Sequence, residues 1–139
     1  MSSRTKGRKR AVDALYAAEL RDEMATDLLS ATKQTVADRQ NQDDIFSFAE
    51  QLVTGVLTNQ NEIDELIGTL SQNWPMDRMP AVDRSILRVA TFELLYGTDT
   101  PAAVVIAEAV ELAGELSTED SPGFINGLLA SISATRKPI

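Results

Sequence analysis

Apolar residues recur along this chain at helical spacing and almost nowhere at strand spacing. That pattern restricts the fold more than any other feature. Val12, Leu15, Tyr16 and Leu20 fall at i, i+3, i+4 and i+8, and Ile45, Ala49, Leu52, Val53 and Val56 repeat the pattern. Ile63, Leu66, Ile67, Leu70 and Trp74 repeat it again. Residues at those intervals lie on one face of a helix. The stretch from Val82 to Tyr96 is apolar around most of its circumference, which predicts a central helix packed on several sides. Val104 to Leu116 combines an apolar face with a narrow acidic stripe of Glu108, Glu111 and Glu115, read as a solvated face. Ile125, Leu128, Leu129 and Ile132 make a last helix. No period-2 run of useful length is present.

The punctuation agrees. Gly97 follows the central helix where a C-cap glycine belongs. Thr100 with Pro101, and Ser121 with Pro122, read as N-cap followed by first helical residue. Pro75 and Pro80 bracket a connector from Trp74 to Ala81. Asp27 to Arg39 predicts a modest, mostly polar helix around Leu28, Leu29 and Val36, and Gln40 to Asp44 predicts a loop. Gly55, Gly68, Gly114 and Gly127 stand isolated within helical patterns, where some of them allow close helix packing. The count is seven helices, or six if those flanking Asn59 to Asn61 are continuous. At 139 residues the chain fits one domain, 1–139, with enough length for a real core. The expectation is an all-α single domain of about seven helices in two packed groups, joined near the Trp74–Pro80 connector.

Composition removes several kinds of chemistry. There is no Cys, so no disulfide, thiolate nucleophile or Cys metal site. There is no His either, which takes away the commonest general base and neutral metal ligand. No metal and no cofactor is expected. Glycine-rich phosphate loops are absent. No apolar run approaches the roughly 20 residues of a membrane helix. The basic start is not followed by an apolar signal core, because Asp13, Glu19, Arg21, Asp22 and Glu23 interrupt it. The reading is a soluble, cytoplasmic protein. Carboxylates are many, but none has an evident catalytic partner. Glu119 and Asp120 precede a helix start, where the macrodipole favours acids without any catalytic role.

Charge is divided unevenly. The chain has 13 basic and 21 acidic residues, yet its first ten residues hold Arg4, Lys6, Arg8, Lys9 and Arg10 and no acid. Residues 11–139 hold 8 basic and 21 acidic residues, a balance of −13 against +5 on the segment 1–10. A basic arm on an acidic body can hold a polyanion at the arm while the body repels it elsewhere. Phosphate neutralisation on a nucleic acid is one reading of the arm; a solvated terminus that aids solubility is the other. The arm runs directly into a helix-forming segment, so its base can be a helix face.

Four strings carry a resemblance. Arg8-Lys9-Arg10-Ala11-Val12-Asp13-Ala14-Leu15-Tyr16 opens the chain. Pro80-Ala81-Val82-Asp83-Arg84-Ser85-Ile86-Leu87-Arg88 leads into Glu93-Leu94-Leu95-Tyr96. Pro101, followed by Ile106-Ala107-Glu108-Ala109-Val110-Glu111-Leu112-Ala113, comes third. Glu119-Asp120-Ser121-Pro122-Gly123-Phe124-Ile125-Asn126-Gly127-Leu128-Leu129 comes last. In this order, over about Arg4 to Ile132, they closely resemble the NusB family of transcription antitermination factors. The resemblance implies a small all-helical RNA-binding protein of two three-helix groups. It implies action with NusE, a small-subunit ribosomal protein, on the boxA element of nascent RNA. The setting is the RNA polymerase antitermination complex on ribosomal RNA operons, with no catalysis. Homodimer formation, as in some relatives, stays open.

Carried over position by position, Arg4, Lys6 and Arg8 match the family's basic motif, and Lys9 and Arg10 sit beside them. Tyr16 matches an aromatic near the RNA and partner surface. Asp83 matches an acid near the partner interface, and Arg88 a base on the same helix. Asp120, Phe124 and Asn126 match a segment tied to RNA contact. Each also has a plainer reading. Phe124 packs in the core, Asn126 bonds backbone at a helix contact, and Asp120 is a helix-start acid. Arg88 has Arg84 at i−4 and needs an acid from elsewhere. Two rival functions remain: an adapter related to the helical module fused to RNA cytosine methyltransferases, and a protein-only scaffold using its acidic faces.

Overall fold

Helices are the regular structure throughout the described residues of the computed structural model, which are 2–36, 42–97 and 99–135. The order is α1 (Ser3–Arg21), α2 (Ala25–Val36), α3 (Gln42–Thr58), α4 (Gln60–Leu70), a 3-10 turn at Met76–Arg78, α5 (Ala81–Tyr96), α6 (Ala102–Leu116) and α7 (Ser121–Thr135). The first three helices pack on one another, and α5, α6 and α7 do the same. Helix α5 joins the groups, touching α1, α3, α4, α6 and α7. Its Ile86, Leu87, Val89, Ala90 and Leu94 are all buried, as its nearly unbroken apolar circumference requires. Leu52, Ile63, Ile67, Ile125, Leu129 and Ile132 complete the interior. Each such side chain contributes about 1.5–3 kcal/mol through removal from water.

Several local readings are corrected. The expected junction between the groups was the Trp74–Pro80 connector, but α4 packs on α5 and α7 and has only slight contact with α3. The chain therefore crosses between groups at Asn59. There Asn59 Nδ2 donates to the Gly55 carbonyl at 2.8 Å, and this side-chain bond competes with continuation of the helix. So α3 and α4 are separate helices. Gln42–Asp44 opens α3 rather than ending a loop, with Asp43 and Asp44 in its first turn, where the macrodipole favours acids. The rest of that expected loop and the end of the expected second helix, 37–41, lie outside the described residues. Pro101 itself is the N-cap of α6, one position beyond Thr100. Ser121 is the first residue of α7 and is fully buried, bonded to Asp83. Gly97 closes α5 with φ 75°, a region that favours glycine.

Close packing of α1 on α3 depends on a glycine that the periodicity did not single out. A Cβ on Gly7 would stand 3.0 Å from the Ile45 carbonyl oxygen and 2.9 Å from the Phe48 ring. Backbone cannot yield as a side-chain tip can. Gly7→Ala should therefore lower unfolding stability by about 1–2 kcal/mol, overpacking outweighing the gain in helix propensity. Gly68 faces open space, so Gly68→Ala should raise stability by about 0.5–1 kcal/mol. Urea unfolding followed by circular dichroism separates the signs; two stabilised variants would refute the tight contact.

Candidate nucleic-acid interface

The basic segment is the first two turns of a helix. Ser2 caps it, its hydroxyl accepting from the Thr5 amide at 3.0 Å. Helical geometry sends the five cations in different directions. Arg8 points inward and is 4 % exposed. Its Nε donates to Glu93 Oε2 at 2.8 Å, its Nη2 to Glu93 Oε1 at 2.9 Å, and its Nη1 to Glu108 at 3.0 Å. Burial works against this charge, and the two carboxylates more than offset it, holding the guanidinium above its ordinary pKa. Arg8 is thus neutralised inside the protein and fixes α1 to α5 and α6.

The other cations stay near solvent. Arg4 lies over the Phe48 ring at 5.0 Å and donates to Asp99 and Thr100. Arg10 lies over Phe46 at 5.5 Å. Lys6 is exposed and has no ion pair among the described residues. Lys9 donates to Glu115 at 2.6 Å, and this bond keeps the ammonium above its ordinary pKa. Between α1 and α6 runs a cleft of about 490 Å³, lined by Lys6, Lys9, Arg10 and Asp13 on the α1 side and by Glu108, Glu111 and Glu115 on the α6 side. The acidic stripe of α6, read from the sequence as a solvated face, is therefore largely a counterion wall for the arm. Glu108 also accepts from the Thr5 hydroxyl.

The remaining candidates separate into three places. Tyr16, 38 % exposed, lies farther along α1. Arg88 clasps Asp64 of α4 through two bonds of 2.8 and 3.0 Å and approaches Glu19 of α1 at 3.6 Å, supplying the acid that Arg84 could not. Arg84 bonds the same Glu19 and the carbonyls of Met76 and Met79, pinning the 3-10 turn. Asp83 is fully buried, accepting from the Ser117 and Ser121 hydroxyls. Asp120 and Asn126 are exposed near the start of α7, and Asn126 makes no bond to the described backbone, unlike its plainer reading. Phe124 is half-buried, its ring edge-on to Trp74 at 4.6 Å, so it packs and still reaches the surface.

Sequence reasoning missed Glu93, Glu108 and Glu115 as partners of the arm. One signal was available: Glu93 sits between Phe92 and Leu94 on a helix apolar nearly all round, and a buried carboxylate needs a cation. Among the described residues no group of three or more Asp or Glu side chains is placed to hold a metal ion, and no helix is long and apolar enough to cross a membrane.

Comparison with known proteins gives this architecture a class. A model described as the NusB family matches residues 5–134. The transcription antitermination protein NusB of Clavibacter michiganensis subsp. michiganensis is 46% identical over 136 residues, covering 98% of this chain and 99% of its own. That of Leifsonia xyli subsp. xyli is 48% identical over 138 residues, covering 99% and 95%. Among solved structures, T. maritima NusB superposes with a TM-score of 0.86 at 34% identity, over 99% of this chain and 95% of that one. A chain from the crystal structure of antitermination factors NusB and NusE in complex with dsRNA superposes with a TM-score of 0.84 at 26% identity, over 96% and 98%. The class is that of the transcription antitermination proteins. Within it, the chain belongs to the NusB family.

Proposed function

We propose that this protein binds boxA-type single-stranded RNA together with the ribosomal protein NusE, and so helps RNA polymerase transcribe ribosomal RNA operons processively. It does so in the cytoplasm, as a binding module without catalysis. The observation that carries the reading is the basic first two turns of α1, where Arg4, Lys6, Lys9 and Arg10 all stay near solvent on an otherwise acidic molecule. These four meet phosphates, while Tyr16, Phe124 and the exposed Asn126 offer a ring or an amide to unstacked bases. Asp120 shapes the start of α7 beside them. Arg8 and Arg88 act indirectly, each fastening its helix through carboxylates from neighbouring helices. The related NusB–NusE structure contains dsRNA, and a basic ribosomal protein suits a body carrying −13.

Four solvent-side cations set a ceiling on salt dependence. At about −0.7 per phosphate neutralised on a single strand, log K falls against log salt with a slope no steeper than about −2.8, or about 50-fold between 50 and 200 mM. Neutralising Arg4, Lys6 and Arg10 together with Gln should flatten that slope by about 2 and leave helicity unchanged. Fluorescence anisotropy of a boxA-like oligonucleotide, with and without NusE, measures both. A slope near zero in the unmodified protein would remove the arm from binding. Equal affinity for boxA-like and scrambled RNA in the presence of NusE would favour the protein-only scaffold.

A further inference from the structure

The arm's cations face a carboxylate wall within their own molecule. Lys9 Nζ and Glu115 Oε1 are 2.6 Å apart, and both side chains are substantially exposed, at 39% and 44%. Glu111 lines the same cleft, is exposed, and has no ion pair among the described residues. The wall therefore holds two kinds of acid on one helix: one engaged with an arm cation and one merely near it. An exposed ion pair is weak, so a phosphate can take the place of its acid. The displaced carboxylate then remains within a Debye length of the incoming strand.

We infer that Glu115 is an affinity-setting residue, an internal competitor that occupies Lys9 and must be displaced before RNA phosphate can reach it. The inference rests on the RNA-binding reading above and adds its regulation. Every single strand incurs the same electrostatic cost at this point. A strand that also gains base contacts, or contacts with a protein partner, overcomes it; a strand offering phosphates alone stays below useful affinity. The device differs from general acidity of the surface because it works through one named pair.

Paired substitutions test it. Glu115→Gln and Glu111→Gln each remove one negative charge from the same cleft, and both positions are exposed enough to leave folding intact. The probes are a boxA-like oligoribonucleotide and poly(U), titrated at 50 and 200 mM salt. Glu115→Gln should tighten both RNAs about fivefold at 50 mM and steepen the salt slope by about 0.7, the contribution of one freed cation. Glu111→Gln should change affinity less than about twofold, since it relieves only screened repulsion. Equal gains in the two variants, or no gain in Glu115→Gln, would overturn the inference. If that happens while neutralising Arg4, Lys6 and Arg10 still weakens binding, the RNA-binding reading stands without the competitor. If the unmodified protein binds neither RNA but Glu115→Gln does, the competitor is confirmed in its strongest form. Silence of both removes both.

Discussion

Arg8→Ala is expected to lower the free energy of unfolding by about 3–5 kcal/mol, a large part of the stability of a domain this size. The cause is Glu93. It is 2 % exposed, and its two oxygens take the Arg8 fork at 2.8 and 2.9 Å. With the guanidinium gone, a carboxylate is left in the interior of α5 with no cation to oppose it. Glu108 has the Thr5 hydroxyl and a more open position, so it suffers less. Arg8→Lys should recover only part of the loss, because one ammonium cannot replace a planar bidentate fork. The double replacement Arg8→Met with Glu93→Leu should sit within about 1 kcal/mol of the unmodified protein, or above it, since apolar packing often matches a buried ion pair. Urea unfolding by circular dichroism measures all three. A loss below about 1 kcal/mol in Arg8→Ala would mean that Glu93 finds water or another donor, and that the pair does not fasten α1 to α5.

Arg8 marks the point where the sequence stops being informative. The helices themselves were legible because each buries one stripe, and a stripe repeats at a period that can be read locally. Ile63, Ile67 and Leu70 announce α4 without any knowledge of what they touch. The central place of α5 was legible for the same reason, since a helix apolar all round has neighbours all round. Partnerships across the fold have no such local mark. Arg8 and Lys6 are two residues apart in one basic run, yet one is buried against Glu93 and the other is exposed. Two residues on a helix are about 200° apart, so opposite environments follow from geometry once the buried face of α1 is known. That face was readable from Ala11, Val12 and Leu15; extended one turn back, it reaches Arg8. The stripe on α6 failed differently. Its acids lie on the polar side of the helix, and only the approach of α1 converts part of that side into a wall.

Asp83→Ala should cost about 2–4 kcal/mol, through loss of two hydrogen bonds to a charged acceptor and the void left behind. Asp83 lies in the first turn of α5, where the helix dipole favours an acid, and it has no exposed surface. Its two oxygens accept from Ser117 and Ser121, so one carboxylate ties the start of α5 to the turn between α6 and α7. No cation among the described residues pairs with it, which leaves hydroxyls and the helix terminus to stabilise the charge. Asp83→Asn keeps the shape and one good acceptor, and either hydroxyl can rotate to accept from the new amide, so it should cost only about 1 kcal/mol. The resemblance places an acid at this position near the NusE interface; since Asp83 is buried, we propose that any part it has there is indirect, through the placement of Ser121 and the exposed residues that follow it on α7. The two roles predict opposite results. A direct contact would make Asp83→Asn lose NusE affinity at unchanged thermal stability. An anchoring role makes it bind NusE within about twofold of the unmodified protein, while the midpoint of unfolding falls by a few degrees.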